Sequence, residues 1–184
     1  MKRFFDSVNV GLMAAMLGFA LWAWADLPER IPTHFGIDGR PDAWAEPTVL
    51  SWFGLPLVAV ALTLGMYWFR AVMPRHPRWV NLPDRRSLSD IPEAARGPVV
   101  DMLSGFLALV QAHLLVIFAI IQLASYRTAL GEDSQGAMIL VLLLAVLGSP
   151  FFLVVFFLRY RGALEEGERL AAGVEAGAGR ARAP

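Results

Sequence analysis

The stretch AMILVLLLAVLGSPFFLVVFFL, Ala137 to Leu158, contains no charged side chain over its whole length. A hydrocarbon core about 30 Å thick needs roughly 20 apolar residues at 1.5 Å rise each, so this segment has the length of a membrane span. Working outward, Val8 to Ala25, Val49 to Met73 and Val99 to Tyr126 meet the same requirement with almost no charge inside them. The whole chain agrees, since 57% hydrophobic with 17% charged residues is too apolar for a soluble domain of 184 residues. The expected fold is all-α and integral to a membrane: a four-transmembrane-helix bundle over residues 1–160, with an ordered extracytoplasmic loop between the first two helices. A cytoplasmic tail, residues 161–184, is expected to open as a short helix around Glu165, Glu166 and Arg169 and then become partly disordered as Ala and Gly take over.

Orientation follows from the placement of Lys and Arg, which accumulate on cytoplasmic flanks. Thirteen of the sixteen lie in the N-terminus, the loop 74–98 with the adjoining Arg70, and the tail; only Arg30, Arg40 and Arg127 fall in the other two loops. Both termini and loop 74–98 are therefore expected in the cytoplasm, and loop 26–48 outside. Lys2-Arg3, an apolar run and Ala23-Trp24-Ala25 also fit a secretory signal cleaved after Ala25. The run is longer than a usual signal core, which favours a retained helix. A net charge of zero points to no nucleic-acid partner, and the absence of cysteine removes disulfides and thiolate chemistry.

Within the spans, Gly11, Ala14, Ala15 and Gly18 share one face of the first helix and are expected to pack on a neighbour. Pro56 and Pro150 each remove a backbone donor, which predicts bends. Trp22, Trp24, Trp44 and Trp52 cluster where an interfacial indole belt would lie. Ser89, Asp90, Pro92 and Glu93 read as a capped start to a third helix longer than the bilayer core.

The most distinctive segment is the first outer loop, LPERIPTHFGIDGRPDAW, Leu27 to Trp44. Pro28 and Pro32 favour extended backbone before them, while Gly36, Gly39 and Gly-Arg-Pro-Asp favour turns. His34, Asp38, Asp42 and Trp44 form the candidate recognition set for an external ligand or partner; the same carboxylates also suit turn capping. No ligand-spacing signature accompanies them, so neither a metal nor another cofactor is expected. The motif Leu-Pro-Glu-Arg-Ile-Pro-Thr-His-Phe, followed by Gly-Arg-Pro-Asp-Ala-Trp, resembles a bacterial membrane domain of unknown function that also forms the N-terminal part of SdpI-like immunity proteins. Asn81-Leu-Pro83 and Ile91-Pro-Glu-Ala-Ala95 extend the resemblance to about Tyr126, and more loosely through the fourth helix. It implies a bacterial cytoplasmic membrane and, for the SdpI-like members, protection against a secreted toxin. Those members continue into a further membrane segment, and with only four apolar runs in these 184 residues the immunity role is expected to carry over weakly.

On the third helix, Ser104, Gln111, Gln122 and Ser125 fall with Asp101 in a sector of about 120°. This intramembrane polar stripe suits interhelical hydrogen bonding; a substrate or ion path is the alternative. Asp101 lies near enough to the cytoplasmic end to be hydrated, and His113 lies on the opposite face, against another helix or a protein seam. No nucleophile elbow, phosphate loop or His-Glu-x-x-His is present, so no catalytic residues and no enzyme activity are expected. The expected function is extracytoplasmic recognition or an accessory role, in toxin immunity or envelope signalling, with a peptide or neighbouring membrane protein as partner. The alternative is a small transporter or channel subunit acting as a homo-oligomer.

Overall fold

The computed structural model describes residues 2–84 and 86–181. Its elements are α1 (Lys2–Ala23), β1 (Ile31–Phe35), β2 (Pro41–Ala45), α2 (Val49–Val72), α3 (Glu93–Ala129) and α4 (Gln135–Ala181). All four helices are long and apolar enough to cross a membrane, which points to a multi-pass membrane protein. At 37 and 47 residues, α3 and α4 are about 55 and 70 Å long, well beyond a hydrocarbon core of about 30 Å. Helix α4 runs through Ala181, past the point where the composition of the tail predicts decay.

Helix α3 is the centre of the bundle. Helices α1, α2 and α4 and strand β1 all pack on it. It can accept them because Gly105, Ala108, Ala112 and Ala124 give it a surface without bulk, and all four are buried. Helix α4 is peripheral: only 6% of its most apolar window is buried, and Leu143, Val146, Leu147, Val154 and Leu158 face outward. Its contact with α3 is tight at two glycines. A Cβ on Gly148 would stand 2.6 Å from the His113 ring, and one on Gly167 would stand 2.3 Å from the Ala95 carbonyl oxygen. His113 thus lies against α4, edge-on to Phe152 at 4.9 Å between ring centroids.

Three expectations are corrected. The small-residue face of α1 is not the packing face: Gly11, Ala14, Ala15 and Gly18 are exposed, and a Cβ at either glycine meets nothing within 4 Å. The buried face carries Asn9, Met16, Ala20 and Ala23 instead, where Asn9 donates to the Ala108 carbonyl and Met16 packs with Ala59 of α2 and Leu115 of α3. Trp52 is not part of an interfacial belt. It is 4% exposed and donates its indole N–H to the Ala20 carbonyl at 2.8 Å, joining α2 to α1. The capping box belongs to Ser87, whose Oγ accepts from Ser89 while Asp90 accepts from the Ser87 N–H at 2.7 Å. It closes the short turn Leu88–Asp90, and α3 starts after Pro92, whose extended backbone separates the two.

The loop between α2 and α3 is tied to the bundle. Leu82, Leu88 and Ile91 are buried in one cluster with Met73, Val99 and Tyr160. Asp84 accepts from the Arg86 guanidinium at 2.6 Å and from the Tyr160 hydroxyl at 3.1 Å. The Arg86 hydrogen bond is the main cause that holds the Asp84 carboxyl below its ordinary range.

The close approach at Gly167 predicts the cost of filling it. Gly167→Ala forces α3 and α4 apart and is expected to destabilise the protein by about 1–3 kcal/mol. Gly65→Ala, at an exposed site with nothing within 4 Å, is expected to cause no loss. Thermal denaturation of the two variants in the same detergent checks this.

Candidate functional site

The chain from Leu27 to Trp44 folds as a β-hairpin on the end of the bundle. Strands β1 and β2 are antiparallel, with Ile31 opposite Ala45 and Phe35 opposite Pro41. Pro32 and Pro41 suit a two-stranded sheet, where each strand has a free edge that needs no donor. The turn is built by Gly36 and Gly39. The Gly36 N–H donates to the Arg40 carbonyl at 2.8 Å, the Gly39 N–H to the Gly36 carbonyl at 2.9 Å, and Asp38 Oδ1 accepts from the Arg40 N–H at 3.1 Å. Gly39 has φ +78°, a conformation that suits glycine.

Two anchors seat the hairpin. At its base Ile31, 1% exposed, packs with Ala23 and Trp52 among Phe19, Leu27, Phe53 and Tyr126. At its tip Gln135, the first residue of α4, donates its side-chain N–H to the Asp38 carbonyl at 2.9 Å, and Gly39 lies so close that a Cβ would stand 2.9 Å from the Gln135 carbonyl oxygen. One face is therefore committed to the bundle. The other carries His34, Ile37, Asp42 and Trp44, all exposed, with Ile37 at 91%.

His34 Nδ1 and Asp42 Oδ1 are 2.5 Å apart across the strands, with side chains 69% and 55% exposed. So exposed a pair stabilises the fold little, by about 0–1 kcal/mol, and its value lies in presenting an imidazole and a carboxylate in fixed relation. Asp38 contributes through its turn and its main chain, and Trp44 stands opposite Pro32 in the register. Among the described residues no three His, Asp or Glu side chains converge as a metal site.

The polar stripe of α3 is divided. Ser104, Gln111 and Gln122 are buried, whereas Ser125 is only partly so. The side-chain amides of Gln111 and Gln122 have no hydrogen-bond partner among the described residues, nor does the Thr63 hydroxyl of α2. The stripe therefore does not form a side-chain network of its own. The polar contacts that do join the helices come from residues outside it. Asn9 donates to the Ala108 carbonyl at 3.0 Å. Arg70, 6% exposed, makes a two-pronged pair with Asp6 at 2.7 and 3.1 Å. The one available signal for that pair was that Asp6 is the lone acid beside the N-terminal basic residues, while Arg70 lies inside an apolar run and not beyond it.

Residues 11–60 match a domain of unknown function, DUF1648, over a stretch that takes in most of α1, the hairpin and the first half of α2. The chain is 26% identical over 160 residues to an uncharacterized protein of Archaeoglobus fulgidus, covering 82% of each. No solved structure matches it.

The Arg70–Asp6 pair closes the end of the bundle opposite the hairpin. Asp6→Asn leaves a buried guanidinium without its charge partner, and a loss of about 3 kcal/mol is expected, at the low end for buried pairs because Asp6 is partly open. The double variant Asp6→Leu, Arg70→Leu is expected to recover most of it. A double-mutant cycle on thermal stability in detergent measures both.

Proposed function

We propose that this is a non-enzymatic multi-pass membrane protein that recognises an extracytoplasmic partner through the outward face of its hairpin. The termini lie in the cytoplasm and the hairpin outside, in keeping with the distribution of Lys and Arg. The observation that carries the reading is the division of labour within residues 27–44. Ile31 and Gly39 are spent on docking, while Ile37, exposed at 91%, and Trp44, exposed at 37%, stand out with the His34–Asp42 pair between them. Aromatic and aliphatic anchors ringed by polar groups are the usual composition of a binding patch.

The two-stranded sheet adds a mode of binding. An extended peptide can pair with a free strand edge through its main chain and place alternate side chains on the exposed face. The partner is accordingly an extended segment of a secreted peptide or of a neighbouring membrane protein. Immunity of the SdpI-like kind is the narrower form of this function.

Selection of a displayed peptide library on the protein in lipid nanodiscs, with counter-selection on the triple variant His34→Ala, Asp42→Ala, Trp44→Ala, tests the reading. Peptides bound by the parent are expected to bind the variant at least about tenfold more weakly, a difference of about 1.4 kcal/mol. Equal binding to both proteins would remove the hairpin as the recognition site.

A further inference from the structure

At the end opposite the hairpin, α1, α3 and α4 leave an open groove of about 1090 Å³. Its charged lining residues are Arg3, Asp101, Arg159 and Glu166, each from an exposed position, and none of the four is in an ion pair among the described residues. Through Met102 and Arg159 the groove continues into an apolar slot of about 170 Å³ between Phe5, Phe106, Leu109, Phe151 and Val155.

The heights of these charges follow from the helix contacts. Gly167 meets Ala95 and Gly148 meets His113, so α4 runs antiparallel to α3, and Asn9 bonds to Ala108 across to α1. Equal steps along each helix from these contacts bring Arg3 and Arg159 level with Met102, beside Asp101. Glu166 lies about 10 Å farther from the apolar slot, seven residues along α4 from Arg159. Along the groove the order is thus apolar, then two guanidiniums with one carboxylate, then a lone carboxylate.

We propose that this groove holds a phospholipid with a phosphoethanolamine headgroup. An acyl chain lies in the apolar slot, the phosphate sits between Arg3 and Arg159, and the primary ammonium reaches outward to Glu166. The guanidiniums supply the bidentate donors that a phosphate accepts, and Asp101 offsets one of the two positive charges so that the inner site matches a single negative one. The groove is neutral over its four charged groups, as the headgroup is, which favours a zwitterion over an anionic lipid. Gly97 and Gly162 in the lining keep the groove open. The proposal rests on the helices spanning a bilayer and is independent of what the hairpin binds.

Native mass spectrometry of the full chain, released from nanodiscs of equal parts phosphatidylethanolamine, phosphatidylcholine and phosphatidylglycerol, tests it. Phosphatidylethanolamine is expected to be retained about fivefold over either competitor, equivalent to about 1 kcal/mol. Arg159→Gln is expected to lower retention of phosphatidylethanolamine and phosphatidylglycerol alike, and Glu166→Gln to erase the preference between them. Both side chains are exposed, so circular-dichroism melts are expected to match the parent. Equal retention of the three lipids, or a preference indifferent to Glu166→Gln, overturns the proposal. Retention of no lipid of any class overturns it as well, whereas the membrane-spanning reading beneath it fails only if the chain does not insert into the nanodisc at all.

Discussion

The constraint on which the rest depends is that backbone N–H and C=O groups have no partner in hydrocarbon other than each other. The four apolar segments meet it as helices, and every non-helical stretch lies at one end of the bundle or the other. The hairpin pairs its own strands and seals its base under Trp52 and Tyr126, while the loop from Met73 to Pro92 closes on itself through the Ser87 box and buries its apolar residues against α3 and α4. The two ends are built alike in principle and differently in chemistry. One presents an exposed mixed face of His, Asp, Ile and Trp; the other presents charged grooves between helix ends.

Within the bundle the cohesive contacts are few and specific. In a bilayer, lipid is as apolar as a leucine side chain, so helices that span one associate through close packing and polar contacts, not through the expulsion of water. Small residues on α3 let three helices approach it, two glycines on α4 set the distance there, and Asn9, Arg70 and Trp52 each make one directed contact at a different height. These contacts join α1 and α2 at both ends, so the hairpin that connects them is seated on two helices that are themselves tied together.

Much of this architecture was legible in the residues. Four apolar runs and their lengths define the helices, and Gly36, Gly39 and the prolines mark a turn-bearing segment at residues 27–44. What periodicity could not supply was which helix face meets which neighbour. Gly11 and Gly18 have the spacing of a packing face and are exposed, since that choice is made by the shape of the partner helices and not by α1 alone. Trp52 looked interfacial because an indole at a helix start suits both a lipid boundary and a buried hydrogen bond, and only the position of the Ala20 carbonyl decides. The Arg70–Asp6 pair escaped for the same reason: the residues are 64 apart in sequence and meet only when α1 and α2 are antiparallel neighbours. The strand pairing within the hairpin was likewise hidden, because five-residue strands that contain proline carry little alternation to read.

The central claim is that the hairpin stands outside the cell and the opposite end inside it. The chain has no cysteine, so single cysteines report position without background. Ile37 and Trp79 are both exposed and lie at opposite ends of the bundle. The direct measurement is labelling of Ile37→Cys and Trp79→Cys by a membrane-impermeant maleimide in intact cells. The account predicts that Ile37→Cys is labelled at once and Trp79→Cys only after the cells are permeabilised; the reverse pattern, or equal labelling of both in intact cells, would contradict it.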